Sequence, residues 1–487
     1  MKRRTFLKHS AVASLMLALG INEKKLDASE IPTNFNKTLV NIFLNGGPDF
    51  RYLFVPIFST DTNSYGYTYW NNRANIFGLD PNNMEQIQNY FNANYDIISI
   101  SNQSFGLLKK ADWLKQEIEA GHVAIINNVG GSKSRNHVLS QMVAETGNPD
   151  VTQTEGYSHS GWGGRIAQSL NANVISMTKV TRTFAKGAKN SDMYKADYKN
   201  IINVNDSRNM GLYYFDTAGN IAEGKNRWKW SDKAVMSRAL KSYYEAKRAT
   251  VTTDSLYYPI FDHEKKLREF GNLIKKRLSS VSIPQLFTDL ETQYKGKYGE
   301  LDCIRQLSGL YDMYNCSDLV NMRVASLDYS GWDTHKHQKS TIETKFELLF
   351  GINKGLDALL SSLKNNLING YENSIFALYG EFGRQLKANG DNGTDHGKGN
   401  SVIIIGSSVQ GGIYGTLFPK SELDNNDKHS YSNIGADIKP ITDMNAVFAQ
   451  ISDWITDNPQ SAQTIFPTGS FDAVENGVDF SSLFTST

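Results

Sequence analysis

Apolar, β-rich runs that stop at glycine loops recur along this chain, and that repetition limits its fold more than any other feature of the sequence. Residues 38–44 run into Asn45-Gly46-Gly47-Pro48-Asp49, and residues 122–127 end in Val129-Gly130-Gly131. Residues 322–327 lead to Ser330-Gly331-Trp332-Asp333, and residues 374–378 lead to Tyr379-Gly380-Glu381-Phe382-Gly383-Arg384. Residues 401–405 make a further apolar run. Short runs of this kind, bounded by turn residues, read as buried strands. Helical spacing lies between them: over 108–119 up to Gly121, in one helix whose face holds Ile342, Phe346, Leu349, Leu356, Leu359 and Leu363, and in a terminal helix over 444–455. Strands alternating with helices predict an α/β fold, a mostly parallel sheet with helices on both faces. The strand tips are where such sheets carry chemistry.

The polar, irregular stretch between about residues 190 and 230, with helical patterns over 233–247 and 263–278 after it, reads as an inserted cap region at about 190–300. The expected organisation is one large domain over 36–487 that contains this insertion, which 487 residues can supply. Lys and Arg number 51 against 50 Asp and Glu, so no net field would draw nucleic acid or an anionic membrane. Cys303 and Cys316 stand thirteen residues apart without a second pair, which excludes a zinc ribbon and leaves one disulfide or two buried thiols.

The chain opens Lys2-Arg3-Arg4-Thr5-Phe6-Leu7-Lys8 before a modest apolar stretch over 11–21. This pattern predicts a twin-arginine signal peptide over 1–28 and the twin-arginine translocation machinery as a partner, with the protein periplasmic or secreted. The apolar stretch falls short of the roughly 20 residues that span a bilayer, so no permanent membrane anchor is expected.

Chemistry gathers at the strand tips. In an extended segment Asp333 and His335 face one side, about 6 to 7 Å apart, where a carboxylate and an imidazole can share one cation; an exposed polar loop is the alternative. Glu381 sits where a buried strand meets a flexible turn and can be a ligand, with Arg384 as an anion clamp, or the two can form a salt-bridged loop. Asp395 and His396 stand between glycines, and adjacent residues of an extended chain face opposite ways. Either a turn brings both inward or one orients the other. Ser132-Lys133-Ser134-Arg135-Asn136-His137 precedes a short helix near 138–145, where free N–H groups favour an anion; equally, Ser134 or Asn136 can be a plain N-cap.

Several of these segments resemble one exported bacterial family, domain of unknown function 1501. The resemblance runs from about Leu39 to the C-terminus. It rests on Leu44 to Asp49 (LNGGPD), Phe105 to Leu107 (FGL), EAGHVAIINNVG, Arg135 to His137 (RNH), Gly161 to Arg165 (GWGGR), GWDTH, GEFGR, TDHG and GGIYG. That family is similar to the alkaline phosphatase and sulfatase superfamily. The resemblance implies an alkaline-phosphatase-like fold and a ligand set of Asp49, Asp333, His335, Glu381, Asp395 and His396. These would hold one or two divalent ions (Zn, Mn, Mg or Ca), a pair of which, about 3.5 to 4 Å apart, would clamp an ester. The chain departs from the family at Asn136, where a serine is usual, at Leu108, where a histidine is usual, and at Gly380, where a serine is usual.

The expected function is therefore an exported metal-dependent hydrolase of phosphate or sulfate esters, acting on a small or polymeric anionic substrate. Ser134, Arg135, Asn136, His137 and Arg384 would stand around the reacting group. The alternative, favoured by Asn136, is a catalytically weak, metal-stabilised binding protein for an anionic glycan or surface polymer.

Overall fold

A computed structural model describes residues 32–33, 35–208, 233–252, 255, 270–466, 479–480 and 482–485. The signal segment expected over 1–28 lies outside these residues. Among the described residues no helix is long and apolar enough to cross a membrane.

The core is a nine-stranded sheet. Its strands are β1 (Thr38–Asn45), β5 (Val123–Gly130), β6 (Asn173–Ser176), β9 (Ile201–Asn203), β10 (Met322–Ser330), β11 (Ser374–Tyr379), β12 (Asn400–Ile405), β13 (Gly412–Tyr414) and β14 (Thr442–Asp443). The order is β13-β5-β12-β11-β1-β10-β6-β9, with β14 pairing with β5. A small sheet of β2 (Phe54–Val55), β3 (Tyr95–Ile100) and β4 (Gln103–Leu108) stands apart, as does a hairpin of β7 (Gly187–Lys189) and β8 (Asp192–Asp197). All the main-sheet pairings are parallel except those of β12, which runs antiparallel to both β11 and β5. The fold is α/β, as the strand and helix alternation predicts.

Strand β1 shows why the apolar runs are continuous. Val40, Ile42 and Leu44 pack into a core with the helices Tyr298–Tyr314, Gln338–Phe350 and Gly355–Asn366. Leu39 and Phe43 pack on the other face, with the helices Trp162–Ser169 and Met444–Thr456. A strand covered on both faces takes apolar residues on both sides, hence the missing alternation, with Asn41 the buried polar exception within the run. Phe346, fully buried in the first core, would cost about 3–5 kcal/mol if cut to alanine.

Several sequence expectations shift. The single helix expected across 342–363 is two helices, broken at Gly351 and at Asn353, whose φ of 56° is left-handed. The helix expected over 108–119 begins only at Asp112, because Leu108 ends β4 and a 3-10 turn follows. Of the region read as an insertion, Ile201–Asn203 forms the outer strand of the main sheet, pairing with β6. Residues 209–232, 253–254 and 256–269 lie outside the described residues. Cys303 and Cys316 are free, buried thiols, and burial pushes the Cys303 thiol up to about 12.

Candidate metal centre

Strands β1, β10 and β11 are parallel neighbours, so the loops that leave them emerge on one edge of the sheet. Strand β5 runs the same way, being antiparallel to β12, and delivers residues 131–137 to that edge. Because β12 is reversed, it starts at this edge, and the segment before it carries Asp395 and His396 there. Four separate stretches thus meet.

Close backbone approach lets them meet. Gly46 has φ of 121°, and a Cβ there would stand 2.4 Å from the backbone nitrogen of Asp333. Gly47 has φ of 74°, and a Cβ would enter the Phe382 ring. Both positions need the conformations and the space that only glycine has. Arg384 then ties the loops together. Fully buried, its Nε donates to the Gly47 carbonyl (2.8 Å), Nη1 to Thr394 O (3.0 Å), and Nη2 to Gly46 O, Trp332 O (2.9 Å) and Asp333 Oδ1 (2.9 Å). The guanidinium is committed to the protein, so it is a strut and the anion-clamp expectation gives way to that.

Three imidazoles surround Asp333. Its Oδ1 lies 3.0 Å from His396 Nε2 and 3.1 Å from His335 Nε2, and its Oδ2 lies 3.3 Å from His137 Nε2. The two Nε2 atoms of His335 and His396 are 2.9 Å apart. Ligating atoms of His137, Asp333 and His396 all fall within 4.8 Å of one another. Burial of Asp333 works against its charge, but its contacts with His396 and Arg384 outweigh it and hold the carboxyl at about 2.

Each imidazole is fixed from behind at Nδ1. His137 Nδ1 meets Glu381 Oε1 at 2.7 Å, His335 Nδ1 meets Asp395 Oδ1 at 2.8 Å, and His396 Nδ1 meets the carbonyl of Arg135 at 2.9 Å. A carbonyl and ionised carboxylates only accept, so each Nδ1 must donate its proton. Each Nε2 is then left with its lone pair turned towards Asp333. His137 Nε2 is buried with no hydrogen-bond partner of good geometry. The orienting groups are held in turn. Glu381 accepts from Gly46 N (3.0 Å), Gly47 N (3.2 Å) and Gln141 Nε2 (3.3 Å), and Asn389 Nδ2 donates to Asp395 Oδ1 at 3.1 Å. The hydrogen bond to Glu381 favours the charged form of His137 and raises its pKa. Burial, which outweighs the hydrogen bond to Asp333, lowers that of His396.

Among the residues expected at the site, Asp333, His335 and His396 come together, and His137 joins them as a fourth candidate ligand. Glu381 and Asp395 stand behind imidazoles rather than beside the gathered nitrogens. Asp49 is elsewhere: buried, it pairs with Arg73 and accepts from Gln338 Nε2 at 2.7 Å. Asn136 caps the helix His137–Thr146, its Oδ1 accepting from Leu139 N at 3.2 Å, while Ser134 Oγ accepts from Asn136 N at 3.0 Å. Arg135 pairs with Asp437 (2.8 Å) and keeps Nε and Nη1 clear of protein acceptors among the described residues. Sequence reasoning missed Gln141, Asn389 and Asp437, polar residues on a helix or in loops with no local pattern to mark them.

Comparison with known proteins places part of this chain. Residues 319–452 match DUF1501, a protein of unknown function. That segment carries Asp333, His335, Glu381, Asp395 and His396, whereas Gly46, Gly47, Arg135 and His137 lie before it. No curated protein matches. Among solved structures, the chain is similar at 10% identity to one from the metabolism of multiple glycosaminoglycans by Bacteroides thetaiotaomicron, marked 4S-sulf. The match covers 93% of this chain and 77% of that one, with a TM-score of 0.29.

Proposed function

We propose that this protein is an exported metal-dependent hydrolase of phosphate or sulfate esters, with His137, Asp333 and His396 holding a divalent ion and His335 beside them. The observation that carries the reading is the meeting of His335 and His396 Nε2 at 2.9 Å over one oxygen of Asp333. Two lone pairs facing each other at that distance repel unless a cation lies among them. A single proton on either Nε2 would also bridge the pair, but it would make an imidazolium beside Arg384, and burial favours neutral His396. An ion fits better: bonds of about 2.0–2.1 Å in tetrahedral array set neighbouring ligand atoms about 3.3 Å apart, near the 3.0 and 3.3 Å that separate Asp333 oxygens from His396 and His137, and the ligand atoms of these three residues all lie within 4.8 Å of one another. Imidazoles with one carboxylate suit zinc, manganese or iron.

A divalent ion in that place would supply Lewis-acid polarisation of an ester oxygen. The chain's own groups supply the rest. Glu381 and Asp395 hold the protons of His137 and His335 at Nδ1, which keeps both Nε2 atoms available. Phe382 packs against His137 and His396, with ring centroids at 4.8 and 4.5 Å, and excludes water from that side. Arg135, with donors to spare at the start of the helix, is the cation suited to a transferring phosphoryl or sulfuryl group. Asn136 carries an amide, with its oxygen capping the helix, and no hydroxyl, so attack by water is favoured over a covalent enzyme intermediate at that position. Export by the twin-arginine pathway, folded and loaded, belongs to the same proposal, and it puts the enzyme in the periplasm or outside the cell.

Elemental analysis of protein purified from metal-replete cells, with a screen of aryl phosphates and aryl sulfates, tests the reading. At least one transition metal or magnesium ion per chain is expected, together with ester turnover that disappears in Asp333→Ala. Metal-free protein from such cells would refute the centre. A fully loaded protein that turns over no ester would instead support a metal-stabilised binding protein for an anionic polymer, which the capping role of Asn136 favours.

A further inference from the structure

A cavity of about 560 Å³ lies beside the residues that support the histidine group, Val138 next to His137 being in its lining. Gln141 belongs to both: it lines the cavity, and its amide donates to Asn45 Oδ1 at 2.6 Å and to Glu381 Oε1 at 3.3 Å. Ser330, the last residue of β10 before the loop to Asp333, lines it as well.

Three cations face this space, and they are not equivalent. Arg182 lies between Glu145 and Asp328, with its guanidinium over the Phe43 ring at 4.2 Å, so its charge is matched. Lys179 pairs with Asp302 at the exposed mouth. Lys186 is 8% exposed and donates only to neutral groups, the Tyr157 carbonyl at 3.1 Å and Thr183 Oγ1 at 3.2 Å. No carboxylate of the described residues pairs with it. Glu145, which also faces the cavity, is taken by Arg182 and by the N–H groups of Thr183 and Phe184. An ammonium has three donors, so one remains; the charge is otherwise met only by the Tyr198 ring at 5.8 Å and, without a hydrogen bond, by Glu145. Burial lowers its pKa accordingly.

Exposed apolar side chains stand at the mouth. Tyr157 is 62% exposed and Val180 79%, and both line the cavity; Tyr298, 82% exposed, neighbours the lining residue Gly299. Exposed apolar groups gathered around a concave site mark a ligand surface, and a tyrosine face offers a flat wall for a ring.

We infer that the cavity holds the alcohol side of the ester, and that this portion is a ring bearing its own negative charge, a sugar acid, met by Lys186 with Tyr157 against the ring. The inference rests on the proposed ester hydrolysis for its place in the reaction, but binding can be measured without any reaction. Isothermal titration of the full-length protein as purified would use 4-nitrophenyl β-D-glucuronide and the neutral 4-nitrophenyl β-D-glucoside, neither of them a phosphate or sulfate ester. The glucuronide should bind at least tenfold more tightly. Lys186→Met should abolish that preference while leaving glucoside affinity unchanged, Lys186→Arg should keep it, and Tyr157→Ala should weaken both probes. Circular dichroism of each variant separates misfolding from lost recognition. Equal affinity for the two probes, no binding of either, or a preference that survives in folded Lys186→Met would overturn the assignment, whatever the ester screen returns.

Discussion

Replacing Glu381 by glutamine exchanges one oxygen for an NH2 group and should uncouple the centre from its support. In the wild type Oε1 accepts from His137 Nδ1 (2.7 Å) and Oε2 from Gly47 N (3.2 Å), with Gly46 N shared between the oxygens at 3.0 and 3.1 Å. A glutamine has one acceptor. If its oxygen faces His137, its NH2 opposes the Gly47 N–H; if reversed, it opposes the imidazole N–H. An unsatisfied buried donor costs about 1–3 kcal/mol. Disturbing a carboxylate behind a ligating histidine lowers metal affinity about 10- to 100-fold. At a free ion concentration of about 100 times the wild-type Kd, binding adds about 2.7 kcal/mol to stability; a tenfold weaker site retains about 1.4 and a hundredfold weaker one about 0.4. Competition with a chromophoric chelator gives Kd directly, and urea unfolding with and without the ion gives the stability increment. Glu381→Gln protein that keeps wild-type affinity and the full increment would refute the claim that this carboxylate sets the His137 tautomer.

Three further outcomes follow from the structure. Asn136→Ala should lose about 1 kcal/mol through the helix cap while Asn136→Ser stays near wild type, as read by urea unfolding; equal stability of all three would remove the cap. Burial holds His159 below its ordinary pKa, so the unfolded chain takes up this proton first as pH falls below about 6.5. Stability from this group is complete above that pH and declines below it, by at most about 1.4 kcal/mol per pH unit, and His159→Gln should flatten that part of the acid limb in thermal melts. Replacing Arg3 and Arg4 with Lys should leave precursor in the cytoplasm, and normal periplasmic accumulation of that variant would sink the export assignment.

The strands were legible because those covered on both faces lose the polar alternation that would otherwise blur them, as Thr38–Asn45 and Ser374–Tyr379 do. The break at Gly351 was hidden because apolar spacing continues across it, so two helices imitate one. At the site, residue types were legible and their ranks were not. Asp395 and His396 are neighbours in sequence, yet one accepts a hydrogen bond from behind His335 and the other turns inward, a difference made by chain direction entering β12. Asp49, Glu381 and Asp333 all follow strand tips. Only tertiary contacts decide that Asp49 meets Arg73 while Glu381 meets His137.

Strand β12 bears on how the chain comes to own its site. Among the described strands it is the one hydrogen-bonded link between β13-β5 and the five strands from β11 to β9. Until Asn400–Ile405 is wedged between them, β5 and β11 each present an open edge, a template for pairing with another molecule. Its insertion closes both edges at once and brings His396 to Asp333. A nascent chain that stops before residue 405 would therefore be both aggregation-prone and unable to chelate, and capture of an ion would report that the two halves of the sheet have joined.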